Sequence, residues 1–413
     1  MIVILNRLSG PLAEYYKWIP EGREVCFLYN SEGKIPLELL PRTWITRLID
    51  NFDETEVLIE TISRILVGQK ISAVVAASEN VLQAGAKIRA HFDVAGSKWP
   101  EDSWIVDKTV MQTKLDTFFP VIPSLQMKSE YCLKARAKEA AALYGFPFVA
   151  KPKSSSASQG VLIFSNQDIL DKFLDSDVGH KASEAIALFQ PFLEGDIYHI
   201  DGAVWDGTVV LSLASKYYGN CLDFYQKGSP LGSIVVDKSL QIRLKICAQG
   251  VVAALAYQNG VFHLELIYHR GEFYFLEIAP RVGGGLIPQV FEQVSGFYLP
   301  RIATEIECGI FFLKGIEYED KFSAGFLMIP VNPLLKNHSL VQVVFADFSL
   351  PKPKELVRIH VSKPGSLIPS KCFYPSWAKF EFSGDSVHEV ENAIVAVAKS
   401  FRYECSVPEF CIG

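Results

Sequence analysis

Two acidic side chains interrupt apolar, strand-like text: Glu265 in VFHLELIY and Glu277 in EFYFLEIA. Whether they can act together depends on the connection between them. If Arg270, Gly271 and Glu272 form a three-residue loop with the glycine in the left-handed region, His269 pairs with Phe273 and Glu265 falls opposite Glu277. Their Cβ atoms are then about 5 Å apart on one face. A two-residue turn would put Leu276 opposite Glu265 and send the carboxylates to different faces. Ionised carboxylates this close persist only with positive charge between them or with one kept protonated. A pair of hard oxygen donors suits Mg²⁺, which takes one or two carboxylates and fills its shell with phosphate oxygens and water. A lysine beside one glutamate and solvent around the other is the plainer account, and the pair alone leaves both open.

The neighbouring text supplies groups for anions. Arg281 follows just past Pro280, where the strand ends, and its planar fork can hold an oxyanion through two parallel hydrogen bonds. Gly283, Gly284 and Gly285 leave backbone N–H groups unshielded, although a glycine triplet is also an ordinary turn and the spacing is not GxGxxG. Upstream, FVAKPKSSSASQGV sets Lys151 and Lys153 at alternate strand positions, hence on one face. They lead into a loop of hydroxyls and small residues that can wrap phosphates or serve as a polar hairpin. In FQPFLEGDIY, Phe192 and Leu193 could flank a flat heterocycle whose edge backbone groups read, or simply join two strands. His199, His263 and His269 lie in strand text, where histidine is usually a hydrogen-bonded structural group, but His263 shares alternation parity with Glu265. Residues 213–233, LASKYYGNCLDFYQKGSPLGS, read as a substrate-side loop in which Lys216 could meet phosphate or carboxylate.

Several elements must position these groups. The first hundred residues alternate MIVIL, EVCFLY and ISAVVAA with helical EVLIETISRIL and ENVLQAGAKIRAHF, an order that implies a parallel sheet. Polar, turn-rich AGSKWPEDSW closes that unit near residue 105. A helix in KSEYCLKARAKEAAALYG, with Ser129 as N-cap and Gly145 as stop, precedes strand-like FPFVAKPK and GVLIF. Strands at YHIDGAVW, TVVLSLAS, VFHLELIY and EFYFLEIA, with the long helix KSLQIRLKICAQGVVAALAYQ among them, describe a largely antiparallel α+β region. From about residue 320 short strands and prolines take over, and Ser386 and Glu389 have capping-box spacing for a last helix.

A chain of 413 residues exceeds one ordinary core, and 49% hydrophobic with 21% charged residues gives ample material to bury and no compositional sign of disorder. The net charge of -6 argues against an unspecialised nucleic-acid binder, and none is expected as a partner. Eight cysteines without a CxxC pair or zinc spacing read as reduced thiols of a cytoplasmic protein. MIVILNRLSG looks like a first strand rather than a signal peptide, and no apolar run approaches the ~18 residues of a membrane span.

Taken in order, DKTVMQTKL, FPFVAKPKSSSASQGV, FQPFLEG, FHLELIY and FLEIAPRVGGG resemble the ATP-grasp superfamily, specifically its carboxylate-amine ligases, which include L-amino-acid ligases. The resemblance covers about residues 70 to 310. It implies an α/β and α+β multidomain chain with the ATP-grasp fold: a Rossmann-like domain at 1–105, an ATP-grasp domain at 106–318 with a mobile lid around 145–195, and a C-terminal α+β subdomain at 319–413. It implies ATP and Mg²⁺ or Mn²⁺ as cofactors and a small carboxylate and amine, amino acids, as substrates; a homodimer is compatible with it. By position, Lys108, Lys151 and Lys153 fall on the phosphate side, and Ser158, Gln159 and Gly160 on the lid loop. Gln190, Phe192 and Leu193 form the adenine hinge, and Asp196 stands in for a ribose-contacting glutamate that is Ile197 here. Glu265 and Glu277 match the metal ligands, and Arg281, with Lys151, the groups that serve catalysis by holding the substrate carboxylate and phosphoryl group. Glu79 matches a position beside the acceptor site. Ala279 replaces an asparagine ligand found in many members, and SSSASQG is serine-rich where glycine is usual. The expected reaction forms an amide through an acyl phosphate and releases ADP and phosphate. A carboxylase of the biotin-dependent or purine-pathway type, or a nucleotide-binding regulator without catalysis, are the competing expectations.

Overall fold

Near-continuous apolar runs at the N-terminus become a parallel sheet because helices cover both of its faces. The computed structural model describes residues 1–33, 35–128, 131–154, 158–177, 179, 185–311, 323–330, 332–335, 340–369 and 376–408. Strands β1 (Ile2–Asn6), β2 (Val25–Tyr29), β3 (Ile45–Leu48) and β4 (Ala73–Val75) lie in the order β3-β2-β1-β4, all parallel. The Thr55–Leu66 helix buries Leu58, Ile62 and Leu66, one stripe at four-residue spacing. A buried ion pair ties this sheet to the Leu299–Glu307 helix: Arg89 donates to Val74 O and to Glu307 Oε1, both at 2.6 Å, while Ala76 N donates to Glu307 Oε2.

Next comes a four-stranded antiparallel sheet, β5 (Leu125–Gln126), β6 (Phe148–Pro152), β7 (Leu162–Phe164) and β8 (Ile186–Pro191), in the order β5-β8-β6-β7. The Leu133–Tyr144 helix ends at Gly145, whose φ of 70° no ordinary residue adopts cheaply, as its stop signal predicts. Ser129 lies outside the described residues, and Cys132 holds the N-cap position.

The central sheet is built from β9 (Asp196–Trp205), β10 (Thr208–Tyr218), β11 (Leu231–Val235), β12 (Gly260–His269), β13 (Glu272–Ala279) and β14 (Ser323–Pro330). The C-terminal stretch adds β15 (Leu340–Phe348), β16 (Leu356–Val361), β17 (Leu367–Pro369), β18 (Ser376–Gly384) and β19 (Phe401–Ser406). The central order is β13-β12-β9-β10-β11-β14-β18-β16, with β17-β15-β19 as a separate small sheet. One face of β9 and β12 sends Ile200, Leu264 and Leu266 into a core with Leu244, Ala248 and Val251 of the Lys238–Ala254 helix. The other face packs on the Ile287–Ser295 and Leu299–Glu307 helices and also carries a set of buried polar residues, His199, Asp201 and His263 among them.

The final helix, Val387–Ser400, starts where its capping box predicts: Ser386 accepts from Glu389 N, and Glu389 reaches back to Asp385 N. The six described cysteines are unpaired. Among the described residues no helix is long and apolar enough to cross a membrane.

Candidate active site

The β12–β13 hairpin places Glu265 directly opposite Glu277, but by a route different from the three-residue loop expected. His269 pairs with Glu272, so the connection is the two-residue turn Arg270-Gly271, with φ of 49° and 93° as a type I′ turn requires. Left uninterrupted, that register would put Leu276 opposite Glu265 and keep Glu277 in step with Phe273 and Phe275, which point into the core on the opposite side of the sheet. A bulge intervenes: Leu266 pairs with Phe275, Glu265 with Glu277, and Leu276 is the extra residue. The bulge turns both Leu276 and Glu277 onto a cleft of about 630 Å³.

Side chains of this chain offset the repulsion between the two carboxylates. Lys108 Nζ lies 2.7 Å from Glu277 Oε1, and Lys108 is itself buried. It opens the Lys108–Leu115 helix, whose N-cap Asp107 accepts from Thr109 N and Val110 N. Glu265 Oε1 accepts from Tyr217 OH at 2.9 Å, with His263 Nε2 at 3.4 Å. Burial works against ionising Glu265, but His263 and Tyr217 outweigh it and hold the carboxyl below the usual range. Glu265 Oε2 takes no hydrogen bond from the described residues, which leaves it open to a cation. Two facing carboxylates with an open oxygen and no soft donor between them fit Mg²⁺ or Mn²⁺, and water would complete the shell where Ala279 offers no ligand.

Around this pair the cleft is cationic. Lys151 is on its wall, and burial, reinforced by Lys108 and opposed by the two glutamates, pushes its ammonium down to about 8. Arg281 is also there, with Nε on Glu79 Oε2 and Nη1 donating to Val282 O at 2.9 Å. Ser158 lines the opening, with a positive φ of 57°.

Apolar side chains also line the cleft, among them Ile122, Val149, Ile163, Phe192, Leu193 and Ile267. Gln190 is 1% exposed; its Nε2 donates to Ile122 O, while its Oε1 has no partner among the described residues. A buried acceptor without a donor is costly in isolation. A flat ring carrying an amino group would satisfy it. Asp196 lines the same cleft but is paired with Lys216 at 2.9 Å.

The structure therefore gathers Lys108, Lys151, Ser158, Gln190, Phe192, Leu193, Asp196, Glu265, Glu277 and Arg281 around one cleft. It does not bring Lys153, Gln159 or Gly160 to that wall. Lys153 lies past the end of β6, beyond a register shift at Lys151/Pro152, and bonds Asp107 Oδ2 at 2.9 Å instead of sharing a face with Lys151. The loop expected at 213–233 is ordered: β10 continues to Tyr218, and a helix spans Cys221–Lys227. Tyr217 and Asn220 of this stretch line the cleft, while Lys216, of opposite parity, turns to Asp196. His269 caps Glu194 O at 2.7 Å, a structural use.

Sequence reasoning missed Tyr217 and the chain of polar groups behind His263. His263 Nδ1 meets Asp201 Oδ1 at 2.9 Å, His199 Nδ1 meets Asp201 Oδ2 at 2.6 Å, and His199 Nε2 meets Ser233 Oγ at 2.6 Å. Burial opposes the charge on His263, yet Asp201 and Glu265 push its pKa up to about 10. Alternation could have suggested the group, since His199 and Asp201 share parity in YHIDG, but the strand pairing that aligns them with Glu265 and His263 is invisible in one segment. Gly283 completes it: a Cβ there would run into Asp201 Oδ1 and Ile287, so only glycine lets the PRVGGG turn close over the buried carboxylate.

Residues 105–285 match the family model of the ATP-grasp domain. The chain is 24% identical over 253 residues to the L-arginine-specific L-amino acid ligase of Bacillus subtilis, an alignment spanning 60% of this chain and 60% of that relative. The fold matches the crystal structure of an L-amino acid ligase from Bacillus licheniformis with a TM-score of 0.70 at 18% identity, covering 98% of each chain. It also matches the biotin carboxylase domain of a Hydrogenobacter thermophilus 2-oxoglutarate carboxylase, solved with MgADP, ADP and bicarbonate, with a TM-score of 0.69 at 14% identity, covering 98% of this chain and 90% of that one.

Proposed function

We propose that the chain is an ATP-grasp ligase that joins the carboxylate of one amino acid to the amine of another, releasing ADP and phosphate, a reading supported by the family-model match and the ligase relatives. The observation that carries the reading is the facing of Glu265 and Glu277 on one cleft with Lys108, Lys151 and Arg281. Adenine would lie between Phe192 and the Ile267–Leu276 side, its amino group donating to Gln190 Oε1. Mg²⁺, held by Glu265 and Glu277, would neutralise charge on the β- and γ-phosphates.

Lys151 and Arg281 would stabilise the transferring phosphoryl group while a substrate carboxylate oxygen attacks the γ-phosphorus and ADP leaves. The amine nitrogen of the second substrate then attacks the acyl carbon, phosphate departs with the P–O–C oxygen, and the amine gives up its proton to solvent. The segment around 145–195, carrying Lys151 and Ser158, would close over the nucleotide to keep water from the acyl phosphate. Arg281 beside Glu79 offers a cation and an anion together, the complement of an amino-acid zwitterion.

The test is to incubate the protein with Mg²⁺-ATP and pools of amino acids, following ADP and phosphate and weighing the products. ADP release that needs an amino acid and yields a condensed product is expected. AMP and pyrophosphate, or cleavage driven by bicarbonate alone, would reject the reading, the latter in favour of a carboxylase.

A further inference from the structure

Beneath the cleft, one face of the central sheet carries an unbroken polar stripe inside an apolar layer. Cross-strand register aligns it: Glu265 pairs with His199 and His263 with Asp201 across β12 and β9, and Tyr217 pairs with Ser233 across β10 and β11. His199, Asp201, Ser233 and His263 are all buried, at 2%, 1%, 2% and 8% exposure. Buried polar groups are expensive unless every one is bonded, and in this chain they are, from Ser233 through His199 and Asp201 to His263.

Two imidazoles and a carboxylate within reach of one another could also be a metal centre of their own. The geometry opposes it. Both His–Asp contacts are direct hydrogen bonds, the remaining His199 nitrogen is taken by Ser233, and the adjoining cavity is about 10 Å³, the space of one water at most. The chain of bonds has a different outlet. His263 Nε2, at 3.4 Å, and Tyr217 OH, at 2.9 Å, both address Glu265 Oε1, on a side chain that lines the cleft.

We propose that His263, anchored through Asp201, His199 and Ser233, is a positioning residue for Glu265 and so sets the protein's affinity for the divalent cation that accompanies the nucleotide. The inference rests on the nucleotide-and-metal part of the proposed function for the identity of that site. Without His263, Glu265 keeps, among the described residues, its tether at Tyr217 and can swing out of line with Glu277. A carboxylate ligand that must be ordered on binding holds its ion more weakly.

His263→Asn retains an amide able to meet Asp201 but cannot reach Glu265. Its Mn²⁺ affinity, measured by the electron paramagnetic resonance of free Mn²⁺ in the presence of a non-hydrolysable ATP analogue, should fall about tenfold, the usual size of losses behind a metal ligand. The Mg²⁺ concentration for half-maximal ADP release should rise in parallel, with kcat recovering at saturating Mg²⁺. Should His263→Asn not fold, Ser233→Ala loosens the far end of the same chain without stranding a charge, and about a two- to threefold rise in the Mn²⁺ Kd is expected. An unchanged Mn²⁺ Kd in the folded variant, or a fall in kcat that Mg²⁺ does not restore, overturns the proposal. Wild-type protein that binds Mn²⁺-nucleotide but condenses no amino acids would remove the ligase reading and leave this inference standing.

Discussion

The Lys108–Glu277 contact predicts an asymmetry between two single substitutions. The charges are 2.7 Å apart, and the side chains keep 7% and 28% of their exposure. At an effective dielectric near 20, unit charges at that distance attract by about 6 kcal/mol before desolvation is counted. Burying the Lys108 ammonium, with Lys151 as a like charge nearby, cancels most of this and leaves a coupling of about 1–3 kcal/mol. Glu277→Gln takes the facing carboxylate from the more deeply buried partner, so it should destabilise the nucleotide-free protein by about 2–3 kcal/mol. Lys108→Met strands a carboxylate that still reaches water and has Lys151 nearby, so about 1 kcal/mol is expected. The double variant should lose less than the two singles together. Urea unfolding followed by tryptophan fluorescence, without nucleotide or metal, reads the cycle. A coupling under about 0.5 kcal/mol, or Lys108→Met proving the more damaging, would refute the argument.

Three further substitutions or titrations probe other parts of the site. Lys151 carries its charge below about pH 8, so phosphate binding above that pH must take up a proton. ATP affinity measured calorimetrically should weaken from pH 8 to 9, approaching about tenfold per unit, and Lys151→Arg should flatten the profile; a flat wild-type curve contradicts this. Gly283→Ala drives a methyl into Asp201 and Ile287, and a stability loss of about 1–3 kcal/mol with weakened Mn²⁺ binding is expected from denaturation and metal titration. Arg89→Ala strands Glu307, whose carboxyl burial already raises above the usual range. The loss, about 3–4 kcal/mol at pH 8, should shrink at pH 5 as Glu307 takes up a proton, and equal losses in melts at the two pH values would exclude the mechanism.

Residue type and order were enough to read the parallel N-terminal sheet, the antiparallel strands and the opposed glutamates, because apolar runs and alternation are local signals. The register of the hairpin was not local in the same way. Counting from the turn alone leads to the wrong face, since a two-residue turn and a bulge at Leu276 combine to give the pairing that a three-residue loop would have given. Gly271 marks where the chain turns, but the length of the turn does not follow from the Arg-Gly dipeptide. The bulge is not legible either, and beside it the hairpin is held from outside: Phe275 N donates to Pro120 O, and Val121 bridges Phe275. The partners of the carboxylates were legible only in part. His263 stands two residues before Glu265 on the same strand, whereas Lys108 and Tyr217 come from other elements, and only tertiary packing brings them to the two glutamates.

Lys153 shows how a residue can serve such a site without touching it. Its ammonium holds Asp107, its carbonyl accepts from Lys108 N at 3.1 Å, and Asp107 caps the helix that Lys108 begins. Burial works against the Asp107 carboxylate, but Thr109 and Lys153 keep it ionised, its carboxyl below the usual range. The end of β6 is thus clamped to the start of the Lys108–Leu115 helix by one backbone bond and one ion pair. Lys151 and Lys108, carried by those two elements, then approach Glu277 as a fixed pair. A strand-parity argument sees two lysines on one face and assigns both to phosphate. The register shift at Lys151/Pro152 divides them, leaving one in the cleft and making the other the strut that sets where Lys108 stands.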